Sequence, residues 1–232
     1  MVMKMNIKET KQGFVETIEN GIVEKLVCEY SESGDSKCTV YFCNQMRRTL
    51  NVKCSVFNRQ YGIPITEDGS MLFVGSWEDG LFAYSIISGK VLWQFRPGKI
   101  RNIFVYQDHI IAARAYSSVV KIDINTGKLL AEIKSGTLEH IFNLGFHYVF
   151  AVTMSGKHCI IDIEKMLIVK KYDTKIINPL CCLSLMIQDV VLQNNKLTIS
   201  GIEEYPQKTY NPKIFAKGEY FSRIIDNEFK DY

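Results

Sequence analysis

The sequence has no run approaching ~18 consecutive apolar residues, which excludes a membrane-spanning helix. Its first residues, Met1-Val2-Met3-Lys4-Met5-Asn6-Ile7-Lys8-Glu9, contain lysine but no apolar segment behind it, so a secretory signal is not expected. Cys-x-x-Cys pairs are absent, as are a Gly-x-Ser-x-Gly nucleophile elbow and a Gly-x-x-x-x-Gly-Lys phosphate loop. Helix signals are nearly missing. The net charge, +3, is too small to argue for nucleic acid by itself. What remains is ordinary for a globular chain of 232 residues, 47% of them hydrophobic and 23% charged. That is long enough to bury a core.

Seven cysteines occupy Cys28, Cys38, Cys43, Cys54, Cys159, Cys181 and Cys182. The odd count, the adjacent pair and the empty stretch from Cys54 to Cys159 do not read as a disulfide framework. Free thiols in a reducing cytoplasm are expected, most of them serving as small buried hydrophobes. Cys28 with Cys38 is the most plausible bridge should one form.

Short strands rich in Val, Ile, Phe and Tyr recur between turn signals. The clearest unit runs from Ile65 to Phe95, with Asp68-Gly69, Asp79-Gly80 and Ser88-Gly89 at its reversals. A second runs through His109–Arg114, Ser118–Ile124 and Lys128–Ile133, and a third through His147–Thr153, Lys157–Ile163 and Leu167–Tyr172. Ser85, Asp123 and Asp162 end the third strand of each, 38 and 39 residues apart. One step on lands at Ser200, and one step back near Cys43. A repeat of about 40 residues with four strands per unit predicts a β-propeller. The expected fold is thus all-β: five four-stranded antiparallel blades in a single domain, 1–232. The blades fall at about 11–57, 60–96, 100–134, 138–173 and 178–210. The tails, 1–10 and 211–232, close or flank the ring, with Val2–Ile7 the candidate closing strand.

The segment Gly75-Ser-Trp-Glu-Asp-Gly-Leu-Phe-Ala-Tyr-Ser85, continuing through Ser88-Gly-Lys-Val-Leu-Trp-Gln-Phe95, resembles a repeat of the quinoprotein-like (PQQ-type) propellers. Asp123-Ile-Asn-Thr-Gly-Lys-Leu-Leu130 resembles another, and WD-type repeats share the general form. The likeness is closest over 62–135 and extends to 173. It implies a fold that hosts many functions. Redox quinoproteins of this type are larger, eight-bladed and calcium-bearing, so neither a quinone nor any other cofactor is expected here.

Four histidines, His109, His140, His147 and His158, lack zinc-ligand spacing. His147 and His158 fall on neighbouring strands and could face each other, but no metal site is expected. Some five-bladed propellers are hydrolases or transferases, whose carboxylates converge on a central channel. Glu67, Asp68, Asp108, Glu139 and Asp189 are the candidates. All but Glu139 sit in equivalent first-to-second-strand turns, where turn chemistry alone explains an Asp. The chain is therefore read as non-enzymatic.

Protein binding is the function left. The loops after the second strand and between blades share one rim: 76–80, 96–101, 114–117, 135–140 and 154–157. The expected contact residues are Trp77, Glu78, Arg96, Arg101, Arg114, Tyr116 and His140. Trp, Tyr and Arg are preferred interface anchors. Trp93, in a strand, is assigned to packing, and Leu92 to the buried core. Arg96, Lys99 and Arg101 form a basic cluster suited to an acidic protein as well as to nucleic acid, though direct nucleic-acid binding is not expected. The leading role is a cytoplasmic, bacterial-type immunity protein that neutralises a toxin, a nuclease among the candidates, by covering its active cleft. A general WD-like scaffold is the alternative, and a propeller hydrolase or transferase the third class.

Overall fold

The computed structural model describes residues 6–10, 13–17, 21–29, 35–53, 64–96, 98–173, 184–193, 196–204 and 219–226. Cys54, Cys181, Cys182, residues 1–5 and most of 211–232 lie outside them. Every regular element among the described residues is a strand, and every pairing is antiparallel. Two compact units divide the chain, 1–134 and 135–232.

The first unit holds three sheets. β1 (Asn6–Thr10), β2 (Gly13–Thr17), β3 (Val23–Glu29), β4 (Asp35–Phe42) and β5 (Arg47–Lys53) form a five-stranded sheet in sequence order. β6 (Met71–Ser76), β7 (Gly80–Ser85) and β8 (Val91–Phe95) form the second, where Ile65 adds one bridge to Leu72. β9 (Ile100–Tyr106), β10 (His109–Arg114), β11 (Ser118–Asp123) and β12 (Leu129–Lys134) form the third. In the second unit, β13 (Leu138–Gly145), β14 (Tyr148–Thr153), β15 (Lys157–Asp162) and β16 (Leu167–Asp173) make a four-stranded sheet. β17 (Ser184–Gln193), β18 (Lys196–Glu204) and β19 (Glu219–Asp226) make a three-stranded one.

Within each unit the strands hold because apolar side chains of successive sheets pack face to face. Leu26, Val40 and Leu50 of the first sheet meet Leu72, Val74 and Tyr84 of the second. The other face of the second sheet gives Phe73, Leu81 and Ala83 to a core with Ile103, Ile110 and Val120 of the third. In the second unit, Phe150, Ile160 and Tyr172 pack on Ile187, Leu197 and Ile199. At roughly 1.5–3 kcal/mol for each fully buried large side chain, these interfaces dominate the stability.

Local turn chemistry sets the repeat. Ser85 Oγ accepts the Ser88 N–H, Asp123 Oδ1 accepts the Asn125 and Thr126 N–H groups, and Asp162 Oδ1 accepts those of Glu164 and Lys165. Each side chain thus replaces a backbone acceptor at the same reversal. The Thr126 hydroxyl and these N–H groups hold the Asp123 carboxyl below the usual carboxylate range. At this turn Trp93 of the second sheet lies over Gly127 of the third. Its indole N–H donates to the Ile124 carbonyl at 3.0 Å. A Cβ on Gly127, whose φ is +68°, would sit 2.6 Å from the indole, so no larger residue fits without moving the ring.

Several expectations are corrected here. The sheets are not uniformly four-stranded: among the described residues the first has five strands, the second and the last three, and only the other two have four. Of the expected closing strand Val2–Ile7, residues 2–5 lie outside the described residues, while Asn6 and Ile7 belong to a strand, 6–10, that pairs with β2 in its own sheet; no terminal strand joins a sheet at the other end of the chain among the described residues. Ser200 lies inside β18 rather than at a strand end, and Asp189 inside β17 rather than in a turn, because the last sheet begins with a longer hairpin. Leu92 is not core. It is the extra residue of a β-bulge, skipped where Ala83 pairs with Trp93 and Tyr84 with Val91, and it is 51% exposed. Leu130 and Val169 are skipped in the same way at the same repeat separations. His147 and His158 do not face each other. They sit at opposite ends of the β14–β15 hairpin, His147 beside Asp162 at 3.7 Å and His158 buried, its Nδ1 accepting the Thr153 N–H.

Candidate functional site

The expected rim residues were assembled from loops of neighbouring units, and within the first compact unit several of them meet. Trp77 sits in the β6–β7 turn. Ser76 Oγ accepts the N–H groups of Glu78 and Asp79, the Asp79 carbonyl accepts from Gln94 Nε2 at 2.8 Å, and Lys53 pairs with Asp79 at 3.7 Å. Tyr116 sits in the β10–β11 turn with φ at +70°, a left-handed conformation that costs a non-glycine residue about 1 kcal/mol. The Ala115 N–H donates to the Lys99 carbonyl at 2.7 Å, which ties this turn to the segment entering β9.

These ties bring two aromatics and two cations together. The rings of Trp77 and Tyr116 meet edge to face, centroids 6.0 Å apart. Lys99 Nζ lies 5.1 Å from the Trp77 ring centre and 5.6 Å from that of Tyr116, and the Arg101 guanidinium lies 5.3 Å from Trp77. Cation–π contacts at such sites contribute about 0.5–1 kcal/mol each. Tyr116 is 55% exposed and Trp77 half-buried, so the cluster is anchored by the fold yet open on one side.

The remaining residues divide. Glu78 and Arg96 are exposed nearby in sequence, flanking the turn and following β8. Arg101 lies on β9 instead of in a loop. Arg114 ends β10 and is half-buried. Its Nη1 binds Glu132 Oε1 at 2.8 Å, the same oxygen takes the Ser118 hydroxyl, and its stem runs beneath Gly98, so it braces the loop. His140 lies on β13 in the second unit, paired with Val152, and is a strand residue, not a loop one. Lys99, named in the basic cluster but left out of the contact set, is central. Its backbone bond to Ala115 leaves no trace in local sequence.

The catalytic candidates are found in both units, Glu67, Asp68 and Asp108 in the first and Glu139 and Asp189 in the second. Asp68 accepts from Thr66 and Ser70, which hold its carboxyl below the usual range, and it serves its own turn. Glu67, Asp108 and Asp189 are exposed. Among the described residues no group of three metal-ligating side chains occurs.

No family model and no curated protein matches the sequence. Solved structures do match in shape. BamB from Moraxella catarrhalis aligns with a TM-score of 0.56 at 12% identity, over 88% of this chain and 60% of that one. The Cps50 (Swd1) β-propeller domain of Myceliophteria thermophila aligns at 0.57 and 14%, over 86% of this chain and 65% of that one. The chain spans less than two thirds of each. At these identities the likeness shows a fold, and that fold is the β-propeller.

Proposed function

We propose that this chain is a non-enzymatic, protein-binding β-propeller and that the Trp77–Tyr116 cluster is its contact surface. The observation that carries the reading is an exposed tyrosine held at positive φ against a half-buried tryptophan and capped by Lys99 and Arg101. Rigid aromatics bind with little ordering cost.

The test compares proteins retained from a lysate of the source organism by wild type, by Trp77→Ala with Tyr116→Ala, and by Lys128→Glu, a charge reversal in the exposed Asn125–Lys128 turn. A partner held by wild type and Lys128→Glu but lost by the aromatic pair is expected, with about 2 kcal/mol or more missing on titration. The same partners on all three would refute the site.

The finer role, an intracellular immunity protein that occludes a toxin's active cleft, draws its support from the sequence: repeats without nucleophile, phosphate-loop or zinc-ligand motifs. It is tested by whether a toxin domain encoded beside this gene is inhibited by the wild-type chain and not by Trp77→Ala.

A further inference from the structure

The contact surface has a chemistry of its own, and charge distinguishes its cations from one another. Arg114 is matched by Glu132 at 2.8 Å and Lys53 by Asp79 at 3.7 Å. Lys99 is exposed and lies over two rings, and no carboxylate among the described residues pairs with it. A ring face offers a cation far less than a carboxylate does, so Lys99 keeps most of its capacity to bind an anion. Arg101 stands on the same ring, and Arg96 is exposed at the end of the preceding strand.

Building on the binding reading above, we propose that the Trp77–Lys99–Arg101–Tyr116 surface binds an acidic segment of a partner protein, its Asp or Glu carboxylates meeting Lys99 and Arg101 and its apolar side chains lying on Tyr116. Single-stranded nucleic acid is the competing occupant, and two features disfavour it. Single-strand platforms lay successive bases flat on several aromatic faces, whereas here two rings meet edge to face and share Lys99, which leaves exposed Tyr116 for an apolar side chain but no row of stacked bases. Exposed Glu78, next to Trp77, would also oppose a backbone charged at every residue, whereas a peptide can carry a neutral or basic side chain opposite it. A few carboxylates placed by a folded or extended peptide need only exposed Lys99 at their centre.

The experiment pans a phage-displayed library of random peptides on the immobilised full chain. Enriched peptides are then titrated against wild type, Lys99→Glu, Lys99→Gln and Trp77→Ala, each checked for folding by circular dichroism. Oligothymidylate is titrated in parallel. Enrichment of Asp- and Glu-rich peptides is expected, with affinity that falls as salt rises. Lys99→Glu should weaken it by at least about tenfold and Lys99→Gln by less. Peptides that need Trp77 but carry no carboxylates would overturn the acidic inference and leave the protein-binding reading standing. Peptides indifferent to Trp77, or no enrichment, would overturn both. Oligothymidylate bound more tightly than any peptide, and lost in Trp77→Ala, would assign the surface to nucleic acid.

Discussion

Gly127 and Gly89 offer a paired test of the packing that joins the second and third sheets. The two glycines occupy equivalent turns with nearly identical φ, +68° and +69°. They differ in what a methyl group would meet. At Gly89 there is nothing within 4 Å, while at Gly127 the new Cβ falls 2.6 Å and 2.7 Å from two atoms of the Trp93 indole. Gly89→Ala should therefore cost only the left-handed backbone, about 1 kcal/mol, partly offset by the lower entropy of the unfolded alanine chain. Gly127→Ala carries the same term. It also displaces the indole, losing its bond to the Ile124 carbonyl, about 1 kcal/mol, and forcing overpacking of roughly 1–3 kcal/mol. The expected total is about 3–5 kcal/mol, less the same unfolded-state offset. In a Trp93→Ala background the obstruction is gone, and Gly127→Ala should shrink to the Gly89→Ala value. Urea unfolding followed by far-UV circular dichroism measures all of these without relying on the tryptophan that is removed. Equal losses for the two glycine variants, or a Gly127→Ala penalty unchanged without Trp93, would show that the indole does not rest on Gly127.

Burial pushes the His158 imidazole down to about 4 from an ordinary 6.5, so the folded state binds fewer protons than the unfolded between those values. Stability should accordingly fall as pH drops from about 6.5 toward 4, by roughly 3 kcal/mol over the span. Thermal melts of His158→Gln, less stable at neutral pH, should show a flatter profile, and a parallel one would contradict the assignment. Native thiol labelling should modify exposed Cys43 quickly and leave Cys159 untouched, since burial raises that thiol to about 11. Cys38 donates to Cys28 at 3.0 Å inside the first core, and intact-mass analysis without reductant should find both as thiols. Leu92→Ala should change stability by less than about 1 kcal/mol, whereas Leu81→Ala, at a fully buried position, should cost about 2–5 kcal/mol in the same denaturant series.

The repeat was legible because its turns are local. Ser85, Asp123 and Asp162 bond to N–H groups two or three residues ahead, and such chemistry leaves its signature in a few adjacent letters. The strands between followed from their apolar faces. Leu92 was misread because alternation assumes an uninterrupted ladder, and a bulge that inserts one residue inverts the facing from there on. The fate of residues 6–10 turned on loop entropy: a hairpin with β2 across two residues closes more easily than a pairing with a strand almost the whole chain away. At the candidate site, residue types pointed to Trp77 and Tyr116, but their meeting depends on the Ala115–Lys99 backbone bond between turns 16 residues apart. His140 shows the same limit from the other side. Its spacing suited a loop, and the ladder with β14 extends through it.

The skipped residues Leu92, Leu130 and Val169 bear on solubility. Each sits on a strand at the border of its sheet: β8, β12 and β16. Such borders carry unpaired backbone groups, and here they also carry exposed apolar tips such as Val91, Leu129 and Leu167. A straight strand of that composition would invite the matching strand of another molecule and begin a fibril-like stack. The inserted residue sharpens the local twist and throws the free N–H and C=O groups out of step, so a second molecule finds no continuous ladder to extend. The same one-residue irregularity that hides Leu92 from a pattern reading thus guards three sheet borders against self-association.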